Sequence, residues 1–99
     1  MRRVSSGDTI DVAVGDRFEV VLNEPGATGY LFEPANVPRG VAIENSRREP
    51  GHRPGASGTV VFETCAQAEG LWLLTFELRA PFDPASAETA TVKVRVRAR

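Results

Sequence analysis

Cysteine, histidine, tyrosine and tryptophan each occur once in these 99 residues, and methionine occurs only at the start. One Cys cannot close an intramolecular disulfide, and one Cys with one His cannot complete a structural zinc site. The same shortage, with no clustered carboxylates, leaves little from which to build general acid–base catalysis. A protein that is not an enzyme, with no metal and no cofactor, is expected. An excess of positive charge is also missing. Twelve Lys and Arg stand against 13 Asp and Glu, a formal net charge of −1, which removes the electrostatic case for nucleic acid. No apolar run approaches the roughly 20 residues needed to cross a bilayer, so no membrane partner is expected. The opening Met1-Arg2-Arg3 imitates the start of an export signal, but Val4-Ser5-Ser6-Gly7-Asp8 follows where an apolar stretch would be required. The chain as given is therefore expected in the cytoplasm; a secreted or periplasmic location is the expectation for a trimmed mature form.

What is present is ordinary globular composition, 41% hydrophobic residues, in a length that makes one domain, residues 1–99. The apolar pattern has period two. Phe18, Val20 and Leu22 alternate with Arg17, Glu19 and Val21; Trp72, Leu74, Phe76 and Leu78 alternate with Leu71, Leu73, Thr75 and Glu77; Val92, Val94 and Val96 alternate with Lys93, Arg95 and Arg97. Alternation marks half-buried strands, whose successive side chains face opposite ways. Further strands are expected over 9–14, 30–32, 41–44 and 58–64. No window shows a helical stripe, and 65–69 reads as at most a turn. About seven or eight short strands predict an all-β fold, an immunoglobulin-like antiparallel β-sandwich, with a small closed barrel as the alternative. The pairs and runs Arg2-Arg3, Arg47-Arg48 and Arg95-Arg97-Arg99 read as solvated strand faces and ends.

Ten of the 16 Gly and Pro residues fall in three windows, 23–30, 50–58 and 81–84. Each window joins two predicted strands, and the connections alternate with others of opposite direction. All three loops are therefore expected at one end of the sandwich. Loops on a rigid scaffold are where binding usually resides.

The text of these loops resembles the chagasin-type inhibitors of papain-like cysteine proteases. Pro25-Gly26-Ala27-Thr28-Gly29-Tyr30-Leu31-Phe32 is similar to the family's Asn-Pro-Thr-Thr-Gly-Tyr-x-Trp, with Thr28, Gly29 and Tyr30 identical and Phe32 in place of Trp. Gly55-Ala56-Ser57-Gly58, with Phe62 four residues on, resembles Gly-x-Gly-Gly and its following aromatic; Ser57 replaces one Gly. Ala80-Pro81-Phe82 resembles Arg-Pro-Trp or Arg-Pro-Phe without its Arg. Motif order, spacing and the intervening Gly70-x-Trp72-x-Leu74-x-Phe76 strand agree across nearly the whole chain. The resemblance implies a monomeric wedge whose three loops enter the cleft of a papain-like protease and cover its Cys–His pair uncleaved. It assigns protease contact to Gly26, Ala27, Thr28, Gly29 and Tyr30, to Gly55, Ala56, Ser57 and Gly58, and to Arg79, Ala80, Pro81 and Phe82.

The residues themselves leave alternatives. Gly26 and Gly29 can take backbone angles closed to other residues and approach a partner closely, or serve a turn that Thr28 caps. Phe82, on a loop pre-set by Pro81, is either an interface anchor or a lid folded over the core. Tyr30 fits the core at a strand start, its hydroxyl bonded nearby, and Trp72 fits the core. The 55–58 segment can lie flat on a partner or be a plain hairpin tip. His52 reads as a surface loop residue and Cys65 as a partly buried thiol without a basic neighbour to activate it. Arg79 adjoins the missing Arg, yet neighbouring strand residues face opposite ways, so only a bulge could re-aim it. The alternative function is a non-inhibitory immunoglobulin-like module that binds another protein or a glycan.

Overall fold

Alternation of apolar and polar residues gives every expected strand, and one more precedes them. The computed structural model describes residues 1–26, 28–49, 51 and 57–99. In chain order the strands are β1 (Arg2–Val4), β2 (Thr9–Ala13), β3 (Arg17–Glu24), β4 (Leu31–Asn36), β5 (Val41–Glu49), β6 (Gly58–Ala66), β7 (Gly70–Ala80) and β8 (Asp83–Arg97). They form two four-stranded sheets, β1-β3-β6-β5 and β2-β8-β7-β4. The fold is an immunoglobulin-like sandwich, not a closed barrel. Among the described residues no helix is long and apolar enough to cross a membrane.

Purely antiparallel pairing is corrected, because β1 runs parallel to β3 and β2 parallel to β8. The reason is parity. The chain reverses at every connection, so odd-numbered strands run one way and even-numbered strands the other. Neighbours β3–β6, β5–β6, β7–β8 and β4–β7 differ by odd numbers and are antiparallel. The two neighbours that differ by an even number must be parallel. Several strands are also longer than the sequence predicts: β4 continues to Asn36, β5 to Glu49 and β6 to Ala66. The extensions of β4 and β5 carry mostly polar or charged residues, so alternation fades, whereas β6 runs on through the buried Cys65 and Ala66, where only a turn is expected from the sequence. In each case neighbouring strands continue to supply hydrogen-bond partners.

The inner faces interlock as the alternation predicts. Phe18, Val20 and Leu22 of β3 and Val60 and Phe62 of β6 meet Phe32, Leu74, Phe76, Leu78, Val92 and Val94 of the opposite sheet, all buried. The rings of Phe62 and Phe76 lie 4.6 Å apart across the middle. Burying each such side chain stabilises the fold by about 1.5–3 kcal/mol. Trp72 lies at the core margin, half-buried, its Nε1 donating to the Ala68 carbonyl at 3.0 Å. It seats on Gly40, where a Cβ would stand 1.8 Å from the indole; only glycine fits there. Cys65 is buried as a free thiol, more deeply than its sequence position suggests.

Candidate functional site

The strand registers bring three connections to one end. Glu24 of β3 pairs with Gly58 of β6, Glu49 of β5 with Thr59, and Leu31 of β4 with Arg79 of β7. The β3–β4, β5–β6 and β7–β8 connections therefore leave the sandwich side by side. The β1–β2 turn points the same way but stops lower, since β1 ends at Val4 opposite Val20.

The first connection is braced from within. Thr28 donates its hydroxyl to the Pro25 carbonyl at 3.4 Å and accepts the Tyr30 N–H at 3.3 Å. Gly29 takes φ 81, a left-handed conformation that costs other residues about 1–2 kcal/mol. A Cβ at Gly29 would also stand 3.2 Å from Cε1 of Phe82. Both glycine requirements, the turn and the close approach, meet at this one residue. Thr28 caps the turn and remains exposed.

Against this loop lies the β7–β8 hairpin, whose tip is only Pro81 and Phe82. Asp83 and Pro84, loop residues by the sequence pattern, belong to β8. Phe82 is 70% exposed and is no lid over the core. Its ring meets Tyr30 edge-on, with centroids 5.4 Å apart and planes at 78°. Tyr30 packs against the core margin and donates its hydroxyl to Asp83 at 2.8 Å. That hydrogen bond, with burial, raises the Tyr30 phenol above its ordinary pKa. The same bond and the Ala85 N–H hold the Asp83 carboxyl below the usual range. Tyr30 thus links the two loops through both its ring and its hydroxyl.

A register shift does fall between Leu78 and Ala80, beside Arg79. It leaves Arg79 exposed, donating to Glu77 at 2.5 Å and to the Pro84 carbonyl at 3.4 Å. The guanidinium flanks the tip rather than crowning it, and lines a pocket of about 250 Å³ with Gly29, Leu31, Glu33, Pro81 and Asp83. Ala80 is buried, so it can offer a partner little beyond its main chain. Of the middle loop, Ser57 is exposed and Gly58 is the first residue of β6. Ala27, Gly55, Ala56 and His52 lie outside the described residues.

Sequence reasoning misses the pair beneath these loops. Arg47 and Arg48, expected together on a solvated face, point to opposite sides of β5. Arg47 stays on the outer face between Glu19 and Glu63. Arg48 reaches inward to Glu24, its Nε 3.1 Å from Oε1, and also donates to the Phe32 carbonyl at 3.2 Å. Glu24 accepts the Phe32 N–H at 2.7 Å and is only 6% exposed. The available signal is parity: Leu22 faces inward, so Glu24 does too, and an inward carboxylate needs a cationic partner. Among the described residues no group of three or more His, Cys, Asp or Glu could hold a metal ion.

Comparison with known proteins agrees with this architecture. Residues 11–96 match a family model described as "Chagasin family peptidase inhibitor I42". No curated protein matches the chain. Among solved structures, the cysteine protease inhibitor EhICP2 from Entamoeba histolytica superposes with a TM-score of 0.80 at 12% identity, over 97% of this chain and 95% of that one. Amebosin superposes with a TM-score of 0.77 at 20% identity, over 97% of both chains. PbICP-C, solved in complex with falcipain-2, gives 0.65 at 12% identity over 100% of both. At these identities the superpositions establish the shared fold.

Proposed function

The chain belongs to the chagasin family of peptidase inhibitors, and from that premise we propose that it reversibly and competitively inhibits papain-like cysteine proteases, its three adjoining loops filling the active-site cleft. The target class comes from the structural relatives, one a cysteine protease inhibitor and one solved with falcipain-2. The observation that carries the mode of binding is the Phe82–Tyr30–Gly29 contact, an exposed aromatic held against its neighbours at the loop end of the sandwich. An aromatic already fixed in place loses little freedom on binding, so more of its burial appears as affinity. The self-capped turn at Thr28 and the two-residue tip at Pro81-Phe82 lower the ordering cost in the same way.

In this reading Thr28, Gly29 and Phe82 face the cleft directly. Gly26, Ala27 and the 55–58 segment add main-chain contacts at its rim, and Tyr30 and Arg79 support the tip from behind and beside it. Residues 1–99 act as one domain and as a monomer, with no cofactor. The experiment is steady-state hydrolysis of a small peptide substrate by papain at several inhibitor concentrations. The expected result is a raised apparent KM with kcat unchanged, full recovery on dilution and an intact inhibitor by mass spectrometry. Unchanged hydrolysis by several papain-like enzymes at micromolar protein overturns the proposal in favour of a non-inhibitory binding module.

A further inference from the structure

We propose that Glu24 and Arg48 act as positioning residues, a clamp that holds the β3–β4 loop in its binding shape; this rests on the inhibitory reading above. Residues 24 and 32 flank the loop on either side, and the Glu24 carboxylate joins them by accepting the Phe32 N–H at 2.7 Å. Arg48 closes the figure, donating to Glu24 through Nε at 3.1 Å and Nη2 at 3.4 Å, and to the Phe32 carbonyl at 3.2 Å.

Two features make this more than a surface ion pair. First, Glu24 is nearly buried, with its side chain 7% exposed, so its bonds form away from most competing water. Second, β4 is an edge strand, paired on one side only, with β7. An edge strand leaves main-chain groups without a ladder partner. At Phe32 the outward N–H and C=O are both taken by the clamp, as a neighbouring strand would take them. Side chains from β3 and β5 thereby tie the opposite sheet's edge strand to their own sheet at the base of the loop.

A loop anchored at both ends resists opening into the extended form that a protease cleaves. Loss of the clamp should therefore convert a stable inhibitor into a weaker one that is slowly cut.

The test compares wild type with Glu24→Ala, with the exchanged pair Glu24→Arg/Arg48→Glu, and with Glu44→Ala, which breaks the exposed Arg17–Glu44 pair elsewhere. Two readouts are taken, amide hydrogen exchange at Phe32 and inhibition of papain with the inhibitor's integrity followed by mass spectrometry. Glu24→Ala is expected to speed Phe32 exchange and weaken inhibition, each about tenfold, with cleavage between residues 25 and 30. Glu44→Ala should leave both readouts as in wild type. The exchanged pair restores opposite charges but not inhibition, because a guanidinium at position 24 cannot accept the Phe32 N–H.

Full inhibition by Glu24→Ala, or by the exchanged pair, would overturn the clamp. So would wild-type exchange at Phe32 in Glu24→Ala. If Glu24→Ala does not fold, Arg48→Met takes its place: faster Phe32 exchange with weaker inhibition is expected, and wild-type behaviour in either overturns the clamp. A wild type that fails to inhibit removes the inhibitory reading, whereas the exchange measurement still decides whether the clamp holds the loop.

Discussion

In the proposed inhibitory role, Phe82 is the residue on which binding should depend most. It is exposed, it rests on Gly29 and Tyr30, and nothing in the core depends on it. Truncating a central interface aromatic commonly costs more than about 1.4 kcal/mol, or tenfold in affinity. Exposed substitutions usually change stability by less than about 0.5 kcal/mol, about 3 °C in a domain of this size. Phe82→Ala should therefore weaken inhibition of papain at least tenfold while moving the thermal midpoint by no more than about 3 °C. A large loss of stability with unchanged inhibition would place Phe82 in the fold rather than the interface. Sequence alone leaves both readings open, because an aromatic after proline at a strand end suits either. The hairpin decides its exposure: Ala80 pairs with Asp83, so the two tip residues project beyond the sheet. Tyr30 is legible as a core residue at a strand start with a bonded hydroxyl, and the structure places it partly buried against the core, just ahead of β4. Its partner, Asp83, lies 53 residues away in sequence, and no local pattern announces such a contact.

At the scale of the element, the sheet β1-β3-β6-β5 carries a row of ion pairs on its outer face. Glu19 sits between Arg3 at 2.9 Å and Arg47 at 3.1 Å, with Glu63 also bonded to Arg47. Burial works to raise the Glu19 carboxyl, but Arg47 and Arg3 outweigh it and hold its pKa below the ordinary value. Glu44 is lowered by its bond to Arg17, and Asp16 by the Ala13 N–H. A carboxyl lowered in the folded state stabilises the fold above its unfolded pKa of about 4, and that contribution is lost as pH falls through the folded value. The thermal midpoint should thus drop as pH falls from 7 toward about 3. Glu19→Gln should melt below wild type at pH 7 and converge with it in acid, where Glu19 is itself neutral. A difference that stays constant across the range would contradict the ion-pair account. The alternation of β3 marks Glu19 as outward, but outward does not mean solvated. Arg3 on the adjacent β1 and Arg47 reaching across β6 from β5 cover it, and cross-strand register is invisible along a single chain.

For the whole molecule, period-two patterning is enough to reach two packed sheets and to place 23–30, 50–58 and 81–84 at one end. Chain reversal at each connection is what makes that step sound, and the parity that groups the loops also makes β1–β3 and β2–β8 parallel. The short β1 is not legible because Arg2 and Arg3 are charged and exposed; it is held by its pairing with β3. The Glu24–Arg48 contact is hidden for a related reason: it joins residues of three strands, and only the assembled sandwich brings them together.

In the proposed mode of inhibition, this end of the molecule physically covers a protease's catalytic thiol. The direct measurement is the rate at which an iodoacetamide-type reagent alkylates the active-site cysteine of papain, alone and with saturating inhibitor. Occlusion predicts that alkylation slows in proportion to the fraction of enzyme bound and returns on dilution. Inhibited papain that alkylates at the rate of free enzyme would contradict the account.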